Sequence, residues 1–307
     1  MFIGVIHSRR PVRRVGRQIL TDRGLRKERG PTGNVGSWRS AAEVARAEAA
    51  RPVAGFAGTV GRTTIAGRTR GAAPPAPEKV STIDWRMLAG AGILDPRDPA
   101  APLAKIFREI GAPLLERAFA PEALPNNRMV LITSPGQGEG KTFTALNLAL
   151  SLVQDPDRDV LLIDANSPHP GVAALLGLAP SGGLADLLGE AGASLDRTIV
   201  RTELRGLAIL GPGAPRADLA DLLAGPRMAG LLRALAERDP RRLIVFDGPC
   251  LSAGPEARIL AGLVGQTLLV ADRETPDEAI DAALVKLRRG TPLFLLRNRA
   301  GTVSDRS

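Results

Sequence analysis

Residues 134–142, "SPGQGEGKT", set three glycines ahead of a lysine and a hydroxyl side chain. Small residues at that spacing let successive backbone N–H groups converge on phosphate oxygens. A helix N-terminus directly behind them adds its positive end. Lys141 would then reach the β and γ phosphates, and the Thr142 hydroxyl would ligate Mg²⁺. The phosphate-loop pattern G-x-x-x-x-G-K-[ST] fails only at its first position, where Pro135 stands. The dinucleotide fingerprint G-x-G-x-x-G fails more badly, because from Gly136 and Gly138 its third glycine falls on Lys141.

Two carboxylates end apolar runs downstream: Asp164 closes "DVLLID" and Asp247 closes "RLIVFD". A strand-terminal aspartate beside a phosphate loop is placed to hold Mg²⁺ directly or through water. The same position also suits a helix cap. With the loop present, Asp247 reads as the metal-side residue, while Asp164 would bind Mg²⁺ or orient an attacking oxygen. In "DANSPHP", Asn166 and His169 follow; a histidine with no Cys or His neighbour reads as a loop residue, phosphate contact being the other reading. Cys250, the single cysteine, reads as a small buried residue, since no activating base lies near it in sequence.

These residues need a scaffold, and the pattern from residue 128 supplies one. Apolar runs at 128–133, 159–164, 206–210, 242–247, 266–272 and 292–298 alternate with helical patterns at 141–154, 226–238, 254–264 and 275–289. Short, continuously apolar strands between helices predict an α/β fold with a mainly parallel sheet flanked by helices. Active residues of such sheets gather at the carboxyl ends of the strands. The boundaries are read as a domain over 127–299, a helical leading element over 81–126 and a short tail over 300–307. Within the leading element Leu103, Ile106, Phe107, Ile110 and Leu114 recur at helical spacing, and Pro113 is expected to kink or end that helix. This helix either packs on the main domain or serves as an interaction element.

Residues 1–80 are rich in Arg, Gly, Ala and Pro and read as a disordered basic tail. Of the net charge of +9, residues 1–70 carry +11 and the remainder −2. The tail would attract anionic membrane or nucleic acid without specificity, whereas the body carries no basic excess that predicts nucleic-acid binding. No run of about 18 apolar residues predicts a transmembrane helix. The first residues place their apolar run before the charge, the reverse of a secretory signal. A lone cysteine fits a reducing compartment. The expectation is a cytoplasmic protein, at the inner face of the membrane where a partner recruits it.

The chain resembles the bacterial tyrosine autokinases of exopolysaccharide and capsule export, most closely the branch that accompanies exosortase systems. The resemblance covers about 81–299 and rests on "IDWRMLAGAGILDP", "FREIGAPLL", "TSPGQGEGKTFTALNLALSL", "VLLIDANSPHP", "GLADLL" and "RLIVFDGPCLSAGPEARILA". It implies a P-loop NTPase domain related to partitioning and septum-site ATPases, with ATP and Mg²⁺ as cofactors. By the resemblance, Gly136, Gly138, Glu139, Gly140, Lys141, Thr142 and Phe143 contact the nucleotide. Lys141, Asp164 and Asp247 are implied as the catalytic set, and Thr142, Asp164 and Asp247 as the metal-side residues. A membrane-embedded chain-length co-polymerase is the implied partner, and the family also forms homo-oligomers. This chain departs from the family at Asn166, where a second aspartate is usual, and at Gly248-Pro249-Cys250 after the Walker-B aspartate. Of the family's E-x-x-R-x-x-R helix only Lys105, Arg108 and Gly111 stand at the corresponding places. The chain contains no tyrosine, so it cannot phosphorylate itself on that residue. Alternatives carried forward are a nucleotide-binding switch without phosphoryl transfer and a partitioning-type ATPase.

Overall fold

A strand whose side chains are apolar at successive positions must be covered on both faces. The computed structural model describes residues 2–4, 80–166, 171–178, 180, 182–190, 192–287 and 291–298, and in it the predicted runs build one sheet. Its strands are β1 (Phe2–Gly4), β2 (Val80–Ser81), β3 (Met129–Thr133), β4 (Asp159–Asp164), β5 (Val200–Thr202), β6 (Leu207–Leu210), β7 (Arg242–Asp247), β8 (Gln266–Asp272) and β9 (Leu293–Asn298). Their spatial order is β1-β9-β8-β3-β7-β4-β6-β5-β2. From β9 to β6 every neighbour is parallel. Among the described residues, antiparallel pairs occur only towards the margins, between β1 and β9 and between β5 and β6.

Alternation along each central strand feeds two separate cores. Val130, Ile132, Val160, Leu162, Leu243 and Val245 point to one face. Met129, Leu131, Leu161, Ile163, Ile244 and Phe246 point to the other. Helices Pro102–Ala118 and Lys141–Leu152 cover the first face. The second is covered by Pro226–Arg238, Glu256–Leu263 and Asp277–Leu287. Each fully buried Leu or Ile in these layers stabilises by about 1.5–3 kcal/mol relative to exposure.

The leading element lies on the first face. Its helix buries Phe107, Ile110 and Leu114, as the spacing predicts, while Leu103 and Ile106 are only partly covered. It runs through Pro113 to Ala118, so of the two expectations, a kink or an end, the proline does not end it. A proline removes one backbone hydrogen bond, at a cost of about 3 kcal/mol in an isolated helix. Here the buried residues on both sides of Pro113 keep the helix docked. Upstream, Val80–Ser81 pair in parallel with β5. The Glu203 carboxylate then accepts from the Ile83 N–H (3.1 Å) and the Trp85 indole N–H (2.9 Å). Apart from Phe2–Gly4 and Val80, the segment read as a basic tail lies outside the described residues.

The topology decides where chemistry can occur. The chain leaves β3, crosses by helix Lys141–Leu152 and returns as β4, with β7 between them and β8 on the far side of β3. The carboxyl ends of β3, β7 and β4 therefore share one crevice, at the switch in strand order.

Candidate functional site

The glycine-rich segment joins β3 directly to helix Lys141–Leu152, so the helix N-terminus points into the crevice. Gly140 is the helix N-cap with φ 94°, a left-handed conformation that glycine adopts without penalty. It also has no room for a side chain, because a Cβ there would collide with the Asn298 amide nitrogen. Lys141 opens the helix and is only 7% exposed. Phe143 packs edge-on against Phe107, with ring centroids 6.1 Å apart, and this ties the loop's helix to the leading element.

Register brings the acidic residues alongside. Asp247 sits opposite Ile132 of β3 on one side and Asp164 of β4 on the other. The Thr142 hydroxyl donates to Asp247 Oδ2 at 2.7 Å. Asp247 is fully buried and its Oδ1 has no hydrogen-bond partner. Burial pushes the Asp247 carboxyl up to about 7; the nearby Asp164 adds to the rise, while Thr142 and Lys141 pull against it. An acceptor buried without a partner costs roughly 1–3 kcal/mol, so a cation or a proton is the natural companion of Oδ1.

Asp164 is equally buried but differently engaged. Its Oδ1 accepts the Asn166 N–H at 3.0 Å and its Oδ2 accepts the Val172 N–H at 2.9 Å. Burial raises its pKa, and these two backbone donors oppose the rise. Gly171 makes the second bond feasible, since a Cβ at that position would overlap Asp164 Oδ2. His169 lies outside the described residues.

A cavity of about 410 Å³ opens at the loop, walled by Gly138, Gly140, Lys141, Thr142, Phe143, Asn166 and the 249–253 segment. That volume is within the range of small-molecule sites, about 300–1,000 Å³. The wall after β7 is held against β3 by three bonds. Gly248 N–H donates to the Ile132 carbonyl at 2.9 Å and Leu251 N–H to the Ser134 carbonyl at 2.8 Å. The Thr133 hydroxyl donates to the Pro249 carbonyl at 2.7 Å. Cys250 is buried, as the sequence suggests, yet it also faces this cavity, with Sγ 3.3 Å from the Ser252 hydroxyl. A larger hollow, about 520 Å³, lies at the opposite, amino-terminal end of β4, β6 and β7. Several of its charges pair with one another, among them Arg238 with Asp196 and Arg242 with Asp239, and no loop residue reaches it.

Gly138, Gly140, Lys141, Thr142 and Phe143 thus share one wall, and Thr142 touches Asp247. Gly136, Glu139, Asp164 and Asp247 do not line that wall, whereas Asn166 does. Among the described residues no group of three His, Cys, Asp or Glu side chains could cage a metal. Mg²⁺ seldom uses such a cage; one or two carboxylates plus ligand phosphates are its usual shell. Thr142 and the orphaned Asp247 Oδ1 fit that requirement. Asn298 and Thr275 buttress the loop from the end of β9 and the turn after β8; no spacing in the sequence points to Thr275, and only a strand-end asparagine hints at Asn298.

Likeness to known proteins matches this geometry. No family model matches the chain. It is 30% identical over 145 residues to the tyrosine-protein kinase Ptk of Acinetobacter johnsonii, covering 47% of this chain and 19% of that protein. To the succinoglycan biosynthesis transport protein ExoP of Rhizobium meliloti it is 33% identical over 151 residues, 48% of this chain and 18% of that one. The chain spans about a fifth of the length of the first curated relatives it matches. Among solved structures, the kinase domain of VpsO superposes with a TM-score of 0.52 at 30% identity, over 64% of this chain and 99% of that domain. With a kinase domain matched over nearly its whole length, and the loop, hydroxyl and buried aspartate assembled at one crevice, the chain belongs to the bacterial tyrosine-kinase family.

Proposed function

We propose that this chain binds ATP with Mg²⁺ and acts as a kinase-like phosphotransferase that regulates exopolysaccharide or capsule biosynthesis or export. The observation that carries the reading is that Lys141 and Thr142 line one cavity at the end of β3 while the buried Asp247 stands directly behind, hydrogen-bonded to Thr142. The backbone N–H groups of 138–142 would hold the phosphates, and Lys141 would neutralise their charge from the helix N-terminus. Thr142 and Asp247 would hold Mg²⁺, whose contribution when bound is to offset negative charge on the transferring group. Asp164 would keep the segment leading to Val172 in place through its two backbone bonds.

The phosphate acceptor is not a tyrosine of this chain, which has none. A residue of another protein is the acceptor we favour. The name of ExoP, a succinoglycan biosynthesis transport protein, supports the pathway. A membrane-embedded chain-length co-polymerase would be the partner, with self-association of this chain as a further assembly. No described helix is long and apolar enough to cross a membrane; attachment at the inner face through that partner is part of the proposal. Lys141→Ala tests the core of the proposal: Mg²⁺-dependent ATP affinity should fall at least ~100-fold, read by equilibrium titration. Unchanged affinity would refute it.

A second reading is supported by one observation. Both Asp164 oxygens are already taken by backbone donors, and the cavity wall offers Asn166 rather than a carboxylate. Without a free base, the nucleotide would act as a conformational switch and no phosphate would move. Phosphate transfer from labelled ATP to a purified candidate partner, lost in Asp247→Asn, would exclude this reading.

A further inference from the structure

Within 137–143 every residue lines the 410 Å³ cavity except Glu139. Its side chain turns instead into a neighbouring hollow of about 320 Å³, beside Pro135, Gly136, Thr275 and Lys286. There Glu139 Oε1 accepts the Thr275 hydroxyl at 3.0 Å and the Gly136 N–H at 3.3 Å. Its backbone carbonyl accepts the Asn298 side-chain amide at 3.1 Å. One residue therefore joins the start of the loop, the turn after β8 and the end of β9.

We propose that Glu139 is a positioning residue for the glycine-rich loop, fixing the backbone donors of 138–142 through its ties to Thr275 and Asn298. The inference rests on the nucleotide reading given above. Two features argue that the tie has a function. Glu139 is flanked by Gly138 and Gly140, both at positive φ (77° and 94°), so the backbone on either side has little stiffness of its own. The Glu139 side chain is also held inside at a cost. The residue is 8% exposed and its Oε2 has no hydrogen-bond partner, although an unconstrained glutamate on a loop turns to water. Burial is the main cause that raises its pKa, with Thr275, Gly136 and Lys141 opposing and Asp272 adding to the rise.

The test is a double-mutant cycle on the full chain, read as affinity for a fluorescent ATP analogue with Mg²⁺. Glu139→Ala and Thr275→Val should each weaken binding by about tenfold, the size of one lost tie. The double variant should be no weaker than Glu139→Ala alone, because both changes remove the same bond. Glu139→Gln should restore near wild-type affinity, since its amide oxygen still accepts from Thr275. Thr275 is half-exposed, so its valine variant folds and keeps the test decisive even where Glu139→Ala is unstable. Wild-type affinity in Thr275→Val, strictly additive losses, or no rescue by Glu139→Gln would each overturn the proposal. A wild-type chain that fails to bind the analogue overturns the nucleotide reading itself, and this inference with it.

Discussion

The ends of β4 and β7 look alike in sequence, each an apolar run closed by an aspartate, and both aspartates are buried side by side in register. Their surroundings differ. Asp164 spends both oxygens on backbone N–H groups, whereas Asp247 has one hydroxyl partner and one bare oxygen. The first is built as an anchor for the chain that follows it. The second is left incomplete in a way that a cation or proton can complete. A strand-terminal aspartate beside a phosphate loop is thus not one signal but two, and what separates them is where neighbouring donors fall in three dimensions.

Three substitutions test that contrast. The largest effect is expected from Asp164→Ala, which strands two backbone donors inside the protein. Stability should fall by about 3–4 kcal/mol, measured by urea unfolding. A loss well under about 1 kcal/mol would show that the segment has other supports. The second test uses pH. Because the folded pKa of Asp247, about 7, lies above its ordinary 3.8, the folded state binds the extra proton between those values. The stability it contributes is complete at low pH and declines as pH rises to about 7. Asp164 and Glu139 are shifted in the same direction, so Asp247→Asn should shrink the decline rather than abolish it, by roughly 2 kcal/mol between about pH 4 and pH 8. A stability–pH curve that coincides with wild type would remove Asp247 as the titrating group. The smallest effect belongs to Thr142→Val. Loss of the bond to Oδ2 should cost about 1 kcal/mol and move the same decline to higher pH, visible in the pH series of unfolding midpoints.

Much of the scaffold was legible because its signals are local. β3, β4, β6, β7, β8 and β9 all fall on the predicted runs, since a strand covered on both faces must be apolar at every position. β5 escaped notice: "VRT" has three residues, one of them charged, and exists as a strand because it pairs with β6. Pro113 does not end its helix for a related reason, as propensity describes an isolated helix and not one held by Phe107, Ile110 and Leu114. At the site, Lys141, Thr142 and Asp247 were found by motif and strand position. The resemblance implies Glu139 as a nucleotide contact, a role left to its backbone N–H, since the structure turns its side chain to Thr275. That orientation depends on the ends of β8 and β9 arriving beside the loop, more than a hundred residues later, and no spacing rule records it.

The two-residue β2 has a consequence for solubility. An edge strand offers unpaired backbone groups to any extended chain that drifts past, and proteins protect such edges in several ways. Here Val80–Ser81 lie along β5, and Glu203 fastens the chain just beyond them through Ile83 and Trp85. Residues ahead of the main fold therefore act as a stopper on its outermost strand. Cutting the chain after residue 85 would leave the kinase-like sheet with an open side and a tendency to self-associate by strand addition, before any loss of the loop chemistry.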